Sequence, residues 1–313
     1  MLFEKALDFA SFSFFLEIYW HVYECTRKRR LFEDPIFVTA FPVNLDTPHR
    51  LWYNTPKNGS KAPVLPRSQN SEVCIVKKFC AHRGVSALMP ENTLPAFSAA
   101  LALGADEIEF DVRLTKDQQM IVSHDNTLER ISDGVGKLTD YTLEELRRLN
   151  IGGKHGWTVP FCTPEEVFAQ LANRIVFNIH LKEHGEDGLL IRNLVELVRK
   201  YDAYENVYFA ASPGELEWMQ RLAPEIPRAA IQLPRDQMGI LDMAERFACS
   251  RVQFWLGMFD EDLIRTLHDR GILCNLYFAD TAEDYQKYFD MGIDTLLTNR
   301  MDLAAQYKKN TGM

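Results

Sequence analysis

The feature that most constrains the fold is a regular alternation, from Val76 onward, of short apolar runs with segments of helical periodicity. In the helical segments, apolar residues recur every three or four positions, as Leu190, Leu194 and Val198 do, which places them on one helix face. Runs this apolar are typical of strands buried on both faces, as in parallel sheets. There are eight, at residues 76–81, 107–113, 175–180, 207–211, 229–233, 251–256, 273–278 and 295–298.

Eight strand–helix units in succession predict an α/β fold of the TIM (β/α)8 barrel type. An open, doubly wound sheet is the alternative, but eight units in about 240 residues suit a closed barrel better. Barrels of this kind carry their functional side chains at the carboxyl ends of the strands. The strand ends are therefore where we expect the chemistry.

A further strand-like run, residues 120–124, follows the second predicted strand after a short polar segment. The connection is too short for a crossover helix, so it predicts a β-hairpin that leaves the barrel after strand 2. If Thr115 pairs with Met120, Asp111 lies opposite His124. This register would bring a carboxylate at a strand end next to an imidazole.

Residues 1–74 are predicted to be an N-terminal extension, and residues 75–313 the barrel. Residues 55–72 are rich in Pro, Gly, Asn and Ser, as linkers often are. Residues 6–23 are rich in aromatics but carry Asp8, Glu17 and His21, so neither a transmembrane segment nor a signal peptide is predicted.

We interpret residues 6–23 as an amphipathic helix that docks on the barrel or on a second subunit, which would make the protein a homo-oligomer. The basic run at residues 27–30 keeps a membrane-surface helix as the alternative.

The charge balance limits the partners. With 35 Lys and Arg against 44 Asp and Glu, the formal net charge is −9. Such a chain does not attract nucleic acid or an anionic lipid surface over a broad area. A local positive cluster can still bind a small anion. We therefore expect a small-molecule substrate and no nucleic-acid partner.

The cysteines are irregularly spaced, and no two of them form a CxxC pair. This spacing excludes a zinc knuckle and a thioredoxin-like motif. Without a secretory signal, a disulfide scaffold is not expected at this length. We expect a cytoplasmic protein in which all six are reduced and mostly buried: Cys25, Cys74, Cys80, Cys162, Cys249 and Cys274.

Polar and charged residues crowd the ends of the first three predicted strands and of the hairpin. The strings are AHRG, PENTLPAF, GADEIEFDVRLTKD, VSHDNTLER and GVGKLTDYTLEEL. The later strand ends offer little except Gln232, Gln253, Trp255 and Tyr277. In this order the strings resemble the glycerophosphodiester phosphodiesterase family, densely over residues 80–150 and more loosely to about residue 300. Residues 1–74 are not covered.

The resemblance implies a TIM barrel with two catalytic histidines and a divalent metal held by carboxylates. His82 and His124 match the family's general acid/base pair, and Arg83 matches a phosphate-binding arginine. Chemistry favours the same residue types, because histidine titrates near neutrality and serves as either acid or base. An arginine can neutralise the phosphate oxygens.

Glu109 and Asp111 match two metal ligands of the family, and Glu91, in its ENT motif close to the metal site, is expected to join them as a metal residue. Lys182 matches the lysine that follows the third carboxylate ligand, and its charge can add to that of Arg83 on the phosphate. Residues two apart on a strand point to the same face, so Glu109 and Asp111 can bind one hard cation. Such a cation acts on phosphate as a Lewis acid.

His180 departs from the family, which has glutamate at this position in an NIELK-like string. As a ligand, an imidazole removes one negative charge from the site. It should weaken magnesium or calcium and favour zinc or manganese. The alternative is that His180 lies outside the ligand set. The metal is therefore expected to be Mg, Ca, Mn or Zn.

The leading hypothesis is metal-dependent hydrolysis of a glycerophosphodiester to glycerol phosphate and an alcohol, within lipid and glycerol metabolism. Two alternatives remain open. One is a lyase related to the sphingomyelinase-D branch, which forms a cyclic phosphate. The other is a non-catalytic barrel that binds a phosphate ligand.

Overall fold

The computed structural model describes residues 77–233 and 238–313. Within these ranges lie nine strands: β1 Lys78–His82, β2 Glu107–Leu114, β3 Met120–Val122, β4 Val176–Leu181, β5 Val207–Ala211, β6 Arg228–Ile231, β7 Arg251–Trp255, β8 Leu273–Tyr277 and β9 Thr295–Thr298. All but β3 coincide with the eight predicted barrel strands, and no boundary differs by more than two residues.

The α-helices of the described residues are α1 Leu94–Ala102, α2 Leu143–Leu146, α3 Pro164–Leu171, α4 Leu189–Lys200, α5 Pro213–Leu222, α6 Ile240–Arg246, α7 Glu261–Asp269, α8 Ala282–Asp290 and α9 Met301–Thr311. Several begin at a threonine whose hydroxyl accepts a first-turn backbone N–H, which satisfies a donor that the helix itself leaves free. These are Thr93, Thr142, Thr163 and Thr281.

The barrel is closed because β1 pairs in parallel with both β2 and β9. The remaining neighbours, in the order β2-β4-β5-β6-β7-β8-β9, are also parallel. Solved structures with the same architecture, described below, confirm the predicted TIM barrel.

Side-chain alternation on β2 shows how the barrel positions the site. Ile108, Phe110 and Val112 belong to the apolar layer between strands and helices. Side chains alternate along a strand, so the odd-numbered residues of β2 point into the barrel. Glu107, Glu109 and Asp111 lie there, all fully buried. Buried carboxylates are costly unless they are paired, so each needs identifiable partners.

Glu107 finds its partners in the barrel interior, away from the strand ends. Tyr208 donates to Glu107 Oε2 at 2.7 Å, and Arg251 Nη2 lies 3.7 Å from Glu107 Oε1. Gln253, expected at the mouth, is also in this interior layer, where its Oε1 accepts from Asn178 at 2.8 Å. Gln253 also contacts Tyr277, which reaches the site.

Strand β3 runs antiparallel to β2, with Leu114 opposite Met120. The predicted register is wrong by one residue: Asp111 lies opposite Ser123, whose N–H donates to the Asp111 carbonyl at 3.0 Å. The reason is the turn, in which Thr115 N–H donates to the Gln119 carbonyl at 2.9 Å. Thr115 therefore pairs inside the turn, and His124 falls just beyond the strand.

The segment between β3 and α3 has an apolar core of its own. It is built by Ile121, Leu128, Leu138, Leu146, Ile151, Val159 and Phe161. Through this core the loop that carries His124 is supported independently of the barrel helices. Helix α3 then completes the crossover to β4.

The chain divides into two units between Val73 and Cys74, and the second contains the barrel. The predicted helix at residues 6–23 and linker at residues 55–72 lie outside the described residues, so both remain predictions. No helix of residues 77–233 and 238–313 combines the length and apolar character that crossing a bilayer requires. Four cysteines are buried and free as expected, at Cys80, Cys162, Cys249 and Cys274; Cys25 and Cys74 lie outside the described residues.

Candidate active site

Three potential metal ligands meet at the carboxyl ends of β2 and β4. Asp111 pairs with His180 across the two strands, and Glu109 lies two residues earlier on β2. One donor atom from each of Glu109, Asp111 and His180 lies within 4.8 Å of the others. The parallel pairing of adjacent strands thus brings together residues about 70 positions apart in sequence.

Asp111 is the most heavily paired of the three. Its Oδ1 lies 2.9 Å from Lys182 Nζ, and its Oδ2 accepts from Asn92 Nδ2 at 2.9 Å and lies 3.4 Å from Arg83 Nε. Burial by itself raises the pKa of Asp111. The charge of Lys182, the contact with His180 and the charge of Arg83 outweigh burial and hold the pKa well below its usual value. Asp111 is therefore a carboxylate at any pH near neutrality.

The donor set fits a divalent cation. Glu109 Oε1 and Asp111 Oδ1 are buried and accept no well-formed hydrogen bond, so both can accept a cation, although Asp111 Oδ1 also contacts the Lys182 ammonium group at 2.9 Å. His180 Nδ1 lies 3.0 Å from Lys182 Nζ and 3.2 Å from Asp111 Oδ1. Lys182 therefore already supplies one positive charge to these two atoms.

Glu91 is not part of this group. Its Oε1 accepts from Arg83 Nη1 at 3.0 Å, and Arg130 donates to both of its oxygens, at 2.8 and 2.7 Å. Burial favours a higher pKa for Glu91, but these arginines lower it. Glu91 therefore orients two guanidinium groups at the edge of the site.

Arg83 and Asn92 hold the site through unusual backbone geometry. Both have left-handed φ values, 56° and 57°, which are rare outside glycine and cluster at functional sites. Asn92 N–H donates to the Arg83 carbonyl at 3.0 Å, and Arg83 N–H donates to Glu109 Oε2 at 3.1 Å. Gly84 follows with φ 80°, where a Cβ would lie 2.7 Å from the Ala96 backbone.

His82 ends β1 and is almost fully buried. Its Nδ1 lies 2.8 Å from Asn299 Oδ1, and its Nε2 lies 4.0 Å from Glu109 Oε2. The ring stacks on the half-exposed Phe278 at 5.5 Å and meets Tyr277 edge-on at 5.6 Å. Burial lowers the pKa of His82, although the nearby Glu109 opposes the shift, so the neutral ring is favoured.

His124 follows β3 and has a charged partner instead. Its Nδ1 lies 2.6 Å from Asp125 Oδ1, and the other oxygen of Asp125 accepts from Arg130 Nε. Burial lowers the pKa of His124, and the charge of Asp111 acts in the opposite direction. His124 and Arg130 also line a cleft with Glu91, Asn92 and Lys154.

Further residues complete this site, and Asn299 among them was not expected from the sequence. Asn299 contacts His82 from the end of β9, a strand end from which nothing was expected. Tyr277, singled out at a strand end, reaches His180 Nδ1 at 3.1 Å. Asn92 Nδ2 donates to Asp111, and the neighbouring Thr93 caps α1. Arg130 ends the string VSHDNTLER but was given no role, and only its position after a strand pointed to Asn299.

Comparison with known proteins agrees with the motif order. A sequence profile described as the glycerophosphoryl diester phosphodiesterase family matches residues 82–303. A glycerophosphodiester phosphodiesterase from Caldanaerobacter subterraneus subsp. tengcongensis is 31% identical over 235 residues, covering 70% of this chain and 92% of that protein. Residues 82–303, which the family profile matches, contain every site residue discussed above.

Solved structures share the barrel. A phosphodiesterase from Oleispira antarctica, in complex with the product sn-glycerol-3-phosphate, has a TM-score of 0.68 at 22% identity and covers 76% of this chain and 98% of its own. A glycerophosphodiester phosphodiesterase from Agrobacterium tumefaciens has a TM-score of 0.65 at 24% identity, covering 74% and 100%. At these identities the two structures establish the fold.

Proposed function

Because the chain belongs to the glycerophosphoryl diester phosphodiesterase family, whose members hydrolyse glycerophosphodiesters, we propose that it releases glycerol phosphate and an alcohol by metal-dependent hydrolysis. His82 and His124 transfer the protons. The observation that carries the proposal is that two imidazoles lie near the Glu109 and Asp111 carboxylates: His82 Nε2 lies 4.0 Å from Glu109 Oε2, and the charge of Asp111 raises the pKa of His124 against burial.

Glu109, Asp111 and His180 would hold the divalent cation, which when bound supplies Lewis-acid polarisation of the phosphate. Two carboxylates and one imidazole suit manganese or zinc better than calcium or magnesium, because nitrogen is the softer donor. Glu91 is left out of this ligand set because the guanidinium groups of Arg83 and Arg130 already bind both of its oxygens.

Arg83 and Lys182 bind the phosphate in this proposal. Both lie next to Asp111, so they surround the site with positive charge while the carboxylates remain ionised. Charges fixed before the reaction stabilise a developing negative charge without reorganisation. A phosphodiester anion is thus bound locally despite the net charge of −9.

The partners of the two histidines suggest different tasks. His82 is buried against a neutral amide, so its neutral ring is the better proton acceptor for the attacking hydroxyl. Burial lowers the pKa of His124 as well, but its contact with the Asp125 carboxylate opposes that shift and stabilises a protonated ring, so His124 is the better of the two as proton donor to the leaving alcohol.

Phosphorus NMR of the products formed from glycerophosphocholine tests this function. The expected result is an open phosphate monoester that appears without a cyclic intermediate. A cyclic phosphate would favour the lyase related to sphingomyelinase D. No product with any of the four metals would favour a non-catalytic phosphate-binding barrel. A variant carrying both His82→Gln and His124→Gln is the control for contaminating activity.

A further inference from the structure

Asn299 is the hydrogen-bond partner of His82 on the side away from the carboxylates. It follows β9, and its Oδ1 lies 2.8 Å from His82 Nδ1. An amide oxygen only accepts hydrogen bonds, so the proton in this contact belongs to Nδ1. A neutral imidazole carries a single N–H. Nε2 of His82 is therefore left with a free lone pair.

Asp280 decides which end of the Asn299 amide faces His82. Asn299 Nδ2 donates to Asp280 Oδ2 at 2.8 Å, and the Asn299 backbone N–H donates to Asp280 Oδ1 at 2.7 Å. A carboxylate accepts only, so the amide nitrogen has to face Asp280. Turning the amide over would bring two oxygens together. The hydroxyl of Ser86 lies 2.9 Å from Asn299 Oδ1 and 2.8 Å from the His82 carbonyl, and it fits either orientation of the amide.

The Asp280–Asn299 pair is itself firmly held. Thr298 Oγ1 donates to Asp280 Oδ1 at 3.1 Å, and Ala87 N–H donates to the Asn299 carbonyl at 3.1 Å. The residues that follow β8, β9 and β1 are thereby joined at the end of the barrel where His82 lies. Such support is what keeps a catalytic ring in one orientation.

On the other side of the ring, Nε2 faces the carboxylates. It lies 4.0 Å from Glu109 Oε2, beyond hydrogen-bonding distance, as expected for a nitrogen without a proton. We propose that Asn299, held by Asp280, is a positioning residue that keeps His82 in the Nδ1–H tautomer, so that Nε2 exchanges the proton in the reaction. This inference rests on the proposed function, because it assigns a role within that reaction.

Three variants separate positioning from mere packing. Asn299→Leu removes the acceptor, and Asp280→Leu keeps the amide but removes what orients it. We expect each to lower kcat about 10- to 100-fold with KM changed less than about twofold, because the ring is still present but misplaced or in the wrong tautomer. The double variant Asp280→Asn/Asn299→Asp exchanges carboxylate and amide, keeps an acceptor for Nδ1, and should recover most of the lost kcat.

Nitrogen NMR of protein labelled with ¹⁵N-histidine reports the tautomer directly, with His82→Gln identifying the His82 signals and the exposed Asn310→Leu as the matched control. We expect a protonated Nδ1 in the parent and in the exchanged pair, and a tautomer mixture in Asn299→Leu. An Nε2–H tautomer in the parent, or unchanged tautomer and kcat in Asn299→Leu, would overturn the proposal. If the parent hydrolyses no glycerophosphodiester, the proposed function fails, and the NMR result still decides whether Asn299 sets the proton.

Discussion

His180 lies beside Asp111 across β2 and β4, with Nδ1 3.2 Å from Asp111 Oδ1. Asp111 is the carboxylate that both Lys182 and Arg83 contact, and His180 adds an imidazole to these neighbours. Lys182 Nζ contacts both atoms, at 2.9 and 3.0 Å, so an ammonium group already bridges them. The pair therefore has the electrostatic character of a cation site, with nitrogen as one donor.

Replacing His180 by glutamate should change which metal the protein prefers. We expect the parent to bind manganese or zinc more tightly than magnesium or calcium, and His180→Glu to move the preference towards the harder ions, because it replaces nitrogen by oxygen and adds a negative charge. Calorimetric titration of each metal into stripped protein measures the affinities. His184→Glu, which adds the same charge after β4 but outside the ligand group, is the control. Identical preferences in parent and His180→Glu would put His180 outside the ligand set.

Removing one carboxylate charge should abolish metal binding. We expect Glu109→Gln and Asp111→Asn each to lose measurable affinity and to lower turnover by about two orders of magnitude or more, because each leaves two ligands and less negative charge. Asp140→Asn, an exposed change outside the site, controls for net charge. Metal affinity is measured by calorimetry and turnover by initial rates, both on the same samples. Either variant with parental affinity and rate would remove that residue from the metal site.

The two histidines should be needed for turnover but not for metal binding. His82→Gln and His124→Gln are expected to lose about 10²- to 10⁴-fold in kcat, the usual contribution of a general acid or base. Circular dichroism and metal titration should match the parent. His184→Gln, whose ring stacks on Trp218, is the matched control. If either variant keeps most of the parental kcat, the role assigned to that histidine is wrong.

Asp125 should stabilise the fold in a pH-dependent way. Burial alone raises its pKa, but hydrogen bonds and charges of Arg130 and His124 lower the pKa to about 2. The unfolded value is about 3.9, so the stabilisation is complete above that pH and is lost as pH falls through about 2. Urea unfolding should show Asp125→Asn less stable than the parent near pH 6, with the difference shrinking below about pH 4. A difference of constant size down to about pH 3 would contradict the low pKa.

The barrel could be predicted from sequence because its strands are buried on both faces and leave uninterrupted apolar runs. Strand β2 is the exception in sequence, because Glu107, Glu109 and Asp111 alternate with apolar residues, although it too is buried on both faces. The hairpin register could not be predicted. It depends on where the turn closes: Thr115 N–H donates to the Gln119 carbonyl, so the turn, which contains Gln118 with φ 58°, is one residue shorter than residue counting gives.

The residues of the site can likewise be divided into those that the sequence predicts and those that it does not. Residues in spaced motifs, such as His82 and Asp111, could be found because neighbouring strand ends meet in a barrel. Asn299 could not, because it reaches His82 only through the tertiary fold, and neither could the contact of Arg130 with Glu91. Glu91 shows how far residue roles can be inferred from the family resemblance. Its ENT motif suggested a metal ligand, but only the structure reveals the two arginines that bind it.

The central claim, that catalysis depends on one divalent ion held by Glu109, Asp111 and His180, is tested most directly by stripping and restoring the metal. Protein treated with a chelator and dialysed should be inactive on glycerophosphocholine. Activity should return in proportion to added manganese or zinc and reach its plateau at one ion per chain, while Glu109→Gln stays inactive throughout. Full activity of the stripped parent, with no response to added metal, would contradict the claim.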